Sequence, residues 1–133
     1  MYRALDLDYG ARLHRDYLKH GSLFVAFDFD NTVYDYHMDG IDYSGIIKLL
    51  KECYEFGFKL ILFTANEGKE LEDAEYFLKN IGLKYHYVNR NPIMPKTRKP
   101  YYNILLDDRA GLVEAYTMLR ELMDKIKNGK DKP

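Results

Sequence analysis

The chain has 133 residues, 47% apolar and 31% charged, with 20 basic against 21 acidic side chains and a formal charge of -1. That length fits one domain with a real core. The balance excludes a disordered chain, a membrane-spanning bundle and a broad nucleic-acid coat, while leaving room for a local basic patch. The single cysteine, Cys53, excludes an internal disulfide and reads as a buried thiol, and the four histidines scattered around it have no zinc spacing.

The predicted elements follow in chain order. Residues 1–22 form an N-terminal extension in which Leu13, Tyr17 and Leu18 suggest a short helix. Met1 to Gly21 carries charges throughout and offers no leader-like apolar stretch, so cytoplasm is the expected compartment. Residues 23–29 (LFVAFDF) read as the first strand, continuous in its apolar character and therefore covered on both faces. A loop runs from Asn31 through Gly40. Asp42 or Ser44 then caps a helix to about Phe56, with Ile46, Ile47, Leu50, Cys53 and Tyr54 inward and Gly57 as its stop.

Phe58 to Phe63 is the second strand, left by the turn Thr64-Ala65-Asn66. Lys69 to Asn80 is a helix with Leu71, Ala74, Phe77 and Leu78 on one stripe. Leu83 to Val88 reads as the third strand, and Asn89 to Pro100 as a loop of asparagine, proline and basic residues. Asn103 to Leu106 is the fourth strand. After Gly111 a last helix runs to about Ile126 with Leu112, Ala115, Leu119, Leu122 and Ile126 inward, and 128–133 is a polar tail. Strands alternating with helices predict a three-layer α/β/α sandwich with a mostly parallel sheet over residues 23–127.

In such a sheet the carboxyl ends of the strands line one crevice. Asp28, Asp30, Asn31 and Thr32 leave the first strand there, Thr64, Ala65 and Asn66 the second, and Asp107 and Asp108 the fourth. Each has a plain structural reading: a turn-forming acid, a threonine at a strand end, an acidic pair capping the last helix. Taken together they define hard-oxygen chemistry. Asp28, Asp30 and an acid of the second pair suit Mg²⁺, which keeps several waters and binds substrate phosphate. A carboxylate beside such an ion can attack phosphorus, and a second one two residues on can serve as acid and base. Thr64 and a lysine of the basic loop, Lys96 or Lys99, can hold the equatorial oxygens, with Arg98 beside them.

These residues resemble the four motifs of the haloacid dehalogenase superfamily, dominated by magnesium-dependent phosphatases. Asp28-Phe-Asp-Asn-Thr32 matches its DxDx[TV] motif, Leu62-Phe-Thr64 the strand ending in Ser or Thr, Lys99 the lysine ahead of the last site strand, and Leu105-Leu-Asp-Asp108 the acidic motif. The resemblance implies that Asp28 is the nucleophile forming an aspartyl-phosphate. It implies that Asp30 is the general acid/base and binds Mg²⁺ through its backbone carbonyl, that Thr64 and Lys99 hold the phosphoryl group, and that Asp107 and Asp108 complete the metal site. Neither inter-motif segment can hold a full cap domain, so the resemblance is to a capless member, and the strand beyond the last helix is missing. The implied substrate is a phosphorylated small molecule. Thr97-Arg-Lys99 and Leu106-Asp-Asp-Arg109 also resemble the 3'-phosphatase domain of polynucleotide kinases, which makes a nucleic-acid end the alternative, and Arg90, Lys96, Arg98 and Lys99 could steer one.

A silent phosphate-binding module of the same fold is a further alternative. A two-component receiver domain would place its acidic pair at the first strand, whereas here the pair comes last. The absent cap and the 13 tyrosines favour a homodimer.

Overall fold

The computed structural model describes residues 2–92 and 99–129. A short 3₁₀ turn at Ala4–Asp6 leads into α1 (Tyr9–His20). Then come β1 (Phe24–Asp28), α2 (Ser44–Phe56), β2 (Lys59–Phe63), α3 (Gly68–Asn80), β3 (Tyr87–Val88), β4 (Ile104–Leu106) and α4 (Leu112–Lys127). The four strands form one all-parallel sheet in the order β3-β2-β1-β4. The fold is a three-layer α/β sandwich without a cap insertion among the described residues.

Val25, Ala26 and Phe27 on β1, and Leu60, Ile61 and Leu62 on β2, are all fully buried. Neighbouring side chains of a strand point to opposite faces, so both faces of the central strands are covered. Helix α2 packs on β2, α4 packs on β4, α2 touches α4, and α1 lies against α4. The expected inner face of α2 is shifted: Leu49, Leu50 and Cys53 are buried, while Ile46, Ile47 and Tyr54 pack at the margin. On α4, Met123 joins Ala115, Leu119 and Leu122 in the core. Arg120 holds Glu52 with both terminal nitrogens, tying α4 to α2, and Lys127 pairs with the same carboxylate.

The short helix expected near the N-terminus is a full 12-residue α1, capped by the Asp8 side chain on the amide of Ala11 and closed by Gly21 in the left-handed region at φ 72°. Leu13 and Tyr17 are buried and Leu18 is not. Tyr17 packs its ring against Phe56 and Phe58, so the N-terminal extension is part of the core. Gly57, at φ 107°, ends α2 as expected, since a side chain there would be strained.

All four strands are shorter than expected, the first two by a residue or two at their ends. The third is only Tyr87–Val88, because the side chain of His86 replaces a backbone acceptor. Its Nδ1 accepts the amide of Leu60 at 3.0 Å while its own amide donates to the Leu60 carbonyl at 2.9 Å. The fourth starts at Ile104, because Asn103 uses its side-chain oxygen to accept the amide of Phe24 at 2.7 Å.

Candidate active site

Strand register builds the site. Phe27 pairs with Leu106, and one residue further on the two chains deliver Asp28 and Asp107 side by side. Asp28 itself pairs with Phe63, and Thr64 follows. Parallel strands lie roughly 4.8 Å apart, so side chains leaving adjacent strand ends meet. Oxygen atoms of Asp28, Asp107 and Asp108 all lie within 4.8 Å of one another.

The electrostatics of this trio are costly. Asp28 is pushed up to about 7, first by burial, then by the charge of Asp107 and by Asp108, against a stabilising hydrogen bond from the amide of Phe29. A cation bound among like charges held this close would relieve that cost. The donors are hard oxygens only, which fits a small divalent ion such as Mg²⁺.

The acidic pair is not a helix cap. The N-cap of α4 is Gly111, and no side chain bonds there. Asp107 instead uses Oδ1 to accept the amide of Arg109 at 2.9 Å, a local turn that fixes its carboxylate. The amide of Asp108 donates to the hydroxyl of Thr32 at 3.1 Å. Thr32 is fully buried. Its hydroxyl is spent inside the fold, joining the loop after β1 to the loop after β4.

Asp30 stands apart from the trio. The extended segment ends at Asp28, and Phe29 turns the chain. The Phe29 carbonyl receives the amides of Thr32, Val33 and Tyr34, and the amide of Asn31, at φ 60°, donates to the Tyr34 carbonyl at 2.7 Å. This tight loop carries Asp30 out of the extended segment that ends at Asp28, leaving it close enough to Asp108 to feel its charge. Asp30 lines a neighbouring cavity with Asn66 and Glu70. Burial and then Glu70 raise its pKa, Asp108 adds to this, and His37 opposes it. A further acid of this segment, Asp35, is consumed structurally, accepting the amides of Asp39, Gly40 and Ile41.

Thr64 is held from two sides. Its amide donates to the side-chain oxygen of Asn89 at 2.8 Å, and its hydroxyl accepts the amide of Asn66 at 3.1 Å. Ala65 is exposed in the same turn. Asn89 adopts φ 51°, a left-handed conformation that asparagine tolerates better than most residues. Asn91 closes the basic loop: its amide nitrogen donates to the Lys99 carbonyl and its oxygen accepts the Tyr101 amide, both at 2.8 Å. Lys99 is exposed. Lys96 and Arg98 lie outside the described residues, and Arg90 stacks over the Tyr87 ring at 5.2 Å.

No family model matches the chain. No curated protein matches it. Among solved structures, the chain is similar to a conserved protein from Bacteroides thetaiotaomicron, with a TM-score of 0.61 and 25% identity over 83% of this chain and 93% of that one. That likeness bears on the fold. Among the described residues no helix is long and apolar enough to cross a membrane.

Proposed function

We propose that the chain is a magnesium-dependent phosphomonoester hydrolase that works through an aspartyl-phosphate on Asp28. The observation that carries this reading is the convergence of Asp28, Asp107 and Asp108 at the carboxyl ends of two adjacent strands. The charge cost of that convergence makes no sense for stability alone. The resemblance to the haloacid dehalogenase motifs supports the same assignment.

The carboxylates of Asp28, Asp107 and Asp108, with the backbone carbonyl of Asp30, would hold the ion. Bound there, magnesium supplies positive charge that offsets repulsion between a carboxylate nucleophile and phosphate oxygens. The Asp28 oxygen forms a bond to phosphorus as the bond from phosphorus to the ester oxygen breaks. Asp30 gives its proton to that departing oxygen, which leaves as an alcohol. In the second half Asp30 takes a proton from water, whose oxygen bonds to phosphorus as the Asp28–phosphorus link breaks. Inorganic phosphate and free Asp28 result. The Thr64 hydroxyl and Lys99 hold the equatorial oxygens. The raised pKa of Asp30 supports its part as the acid, since burial and Glu70 both favour its protonated form.

The test is a phosphatase screen across sugar phosphates, nucleotides, aryl phosphates and 3'-phosphorylated oligonucleotides, with and without Mg²⁺. Magnesium-dependent release of phosphate is expected. Absence of release from every class would overturn the reading.

A further inference from the structure

Beside Asp30 lies a cavity of about 490 Å³ that the phosphoryl chemistry itself does not use. That volume is within the range of small-molecule sites, roughly 300–1,000 Å³. One wall is aromatic. Phe29 and Tyr34 stack at 5.1 Å with their planes 14° apart, and Phe77 meets both edge-on, at 5.7 and 5.0 Å. The other wall carries Asp30, Asn66 and Glu70. Among the described residues no lysine or arginine lines the cavity. Asp73, on the same helix as Glu70, is paired with Lys69 at 3.0 Å in the solvent, whereas no cation among the described residues pairs with Glu70.

We infer that this cavity is the leaving-group subsite, and that it selects phosphate esters of an aromatic alcohol carrying a cationic substituent. The inference rests on the proposed hydrolase reading, because the cavity matters to the reaction only through the Asp30 at its mouth. A proton donor must reach the ester oxygen, so the alcohol part of the substrate lies against Asp30 and extends into the space behind it. There Tyr34 and Phe77, backed by the buried Phe29, offer a surface on which an aromatic group packs, offset or edge-on. Glu70 lines the same wall as Asp30, within reach of its charge. An ammonium beside Glu70 gains a partner, while a second anion there meets like charge. Polyanionic esters, nucleotides among them, are therefore disfavoured at this site.

Two phenyl phosphates of nearly equal shape and leaving-group reactivity test this: 4-(2-aminoethyl)phenyl phosphate and 4-(2-carboxyethyl)phenyl phosphate. The full chain in Mg²⁺ is expected to show kcat/KM about tenfold higher for the amine, as one charge contact warrants. In Glu70→Gln the ratio is expected to fall toward one. Glu70 is exposed in the first turn of α3, so this substitution leaves the fold in place, which circular dichroism checks. A ratio near one in the native chain, or a preference for the carboxylate, would overturn the subsite and leave the hydrolase reading intact. So would a tenfold ratio that Glu70→Gln does not change. Failure to turn over either ester while another class of the screen is hydrolysed would overturn the subsite alone, and absence of release from every class would overturn both readings.

Discussion

The hydroxyl of Thr32 accepts the backbone amide of Asp108 at 3.1 Å, across 76 residues of sequence. This bond locks the loop after β1 to the loop after β4, the two segments that carry the three converging carboxylates. Thr32→Val keeps the shape and removes the acceptor, leaving the Asp108 amide without its partner. Losing a buried partner costs about 1–3 kcal/mol. Denaturant unfolding is expected to show a loss in that range, and Thr32→Ser a smaller one. Magnesium affinity should weaken in the valine variant, because Asp108 is no longer held.

Asn89 orients Thr64 in the same indirect way. Its side-chain oxygen accepts the Thr64 amide at 2.8 Å from a backbone already at φ 51°. Asn89→Ala removes the hydrogen bond and places a less tolerant residue in the left-handed region, whereas Asn89→Gly removes only the bond. The expected outcome is that both raise KM for a phosphate ester, by roughly fivefold if the bond is worth about 1 kcal/mol. Only the alanine variant should also lose clear stability. Steady-state kinetics beside thermal melts separate the two effects.

The like-charge repulsion within the trio of Asp28, Asp107 and Asp108 is what a divalent ion bound there would relieve. Magnesium at about 100 times its Kd should therefore stabilise the fold by about 2.7 kcal/mol. Asp107→Asn removes one of the repelling charges. That variant is expected to melt at a higher temperature than the native chain without magnesium, and to gain little when magnesium is added. Melting curves in chelator and in excess Mg²⁺ check both halves.

How much of this was legible in the sequence depends on how far each interaction reaches along the chain. β1 was legible because Val25, Ala26 and Phe27 form an unbroken apolar run, the mark of a strand covered on both faces. The convergence of strand ends followed from the order of elements. The roles of Thr32, Asn89 and Asn103 were not legible. Each bonds a backbone group 76, 25 or 79 residues away, and local pattern carries no trace of such contacts. The third strand was over-read for a related reason. Leu83 is buried like a strand residue, yet it enters the core from a turn, and the His86 ring takes the place that another backbone carbonyl would have filled.

A buried thiol and a partly buried phenol, both of raised pKa, are expected to weaken the fold at alkaline pH. Burial pushes Cys53 up to about 12 from an ordinary value of 9.0. Tyr85 is raised from 10.0 by burial and by its hydrogen bond to Glu75, at 2.6 Å. The unfolded chain therefore releases these protons at lower pH than the folded one. Their contribution is intact below about pH 9 and is lost as pH rises above it. Denaturation midpoints between pH 8 and 11 are expected to fall, less steeply in Tyr85→Phe. A thiol reagent at pH 8 should leave Cys53 unlabelled in the native chain and label it fully in denaturant.

The central claim is that Asp28 attacks phosphorus with a divalent cation held beside it. It is tested most directly with purified Asp28→Asn beside the native chain, on the best ester from the screen, in Mg²⁺ and in excess chelator. The substitution changes charge and nucleophilicity with little change in volume. Asp28→Asn is expected to keep its circular dichroism and lose turnover, and the native chain to fall silent in chelator and recover when Mg²⁺ is restored. Turnover by Asp28→Asn at a rate comparable to the native chain, or undiminished turnover in chelator, would contradict it.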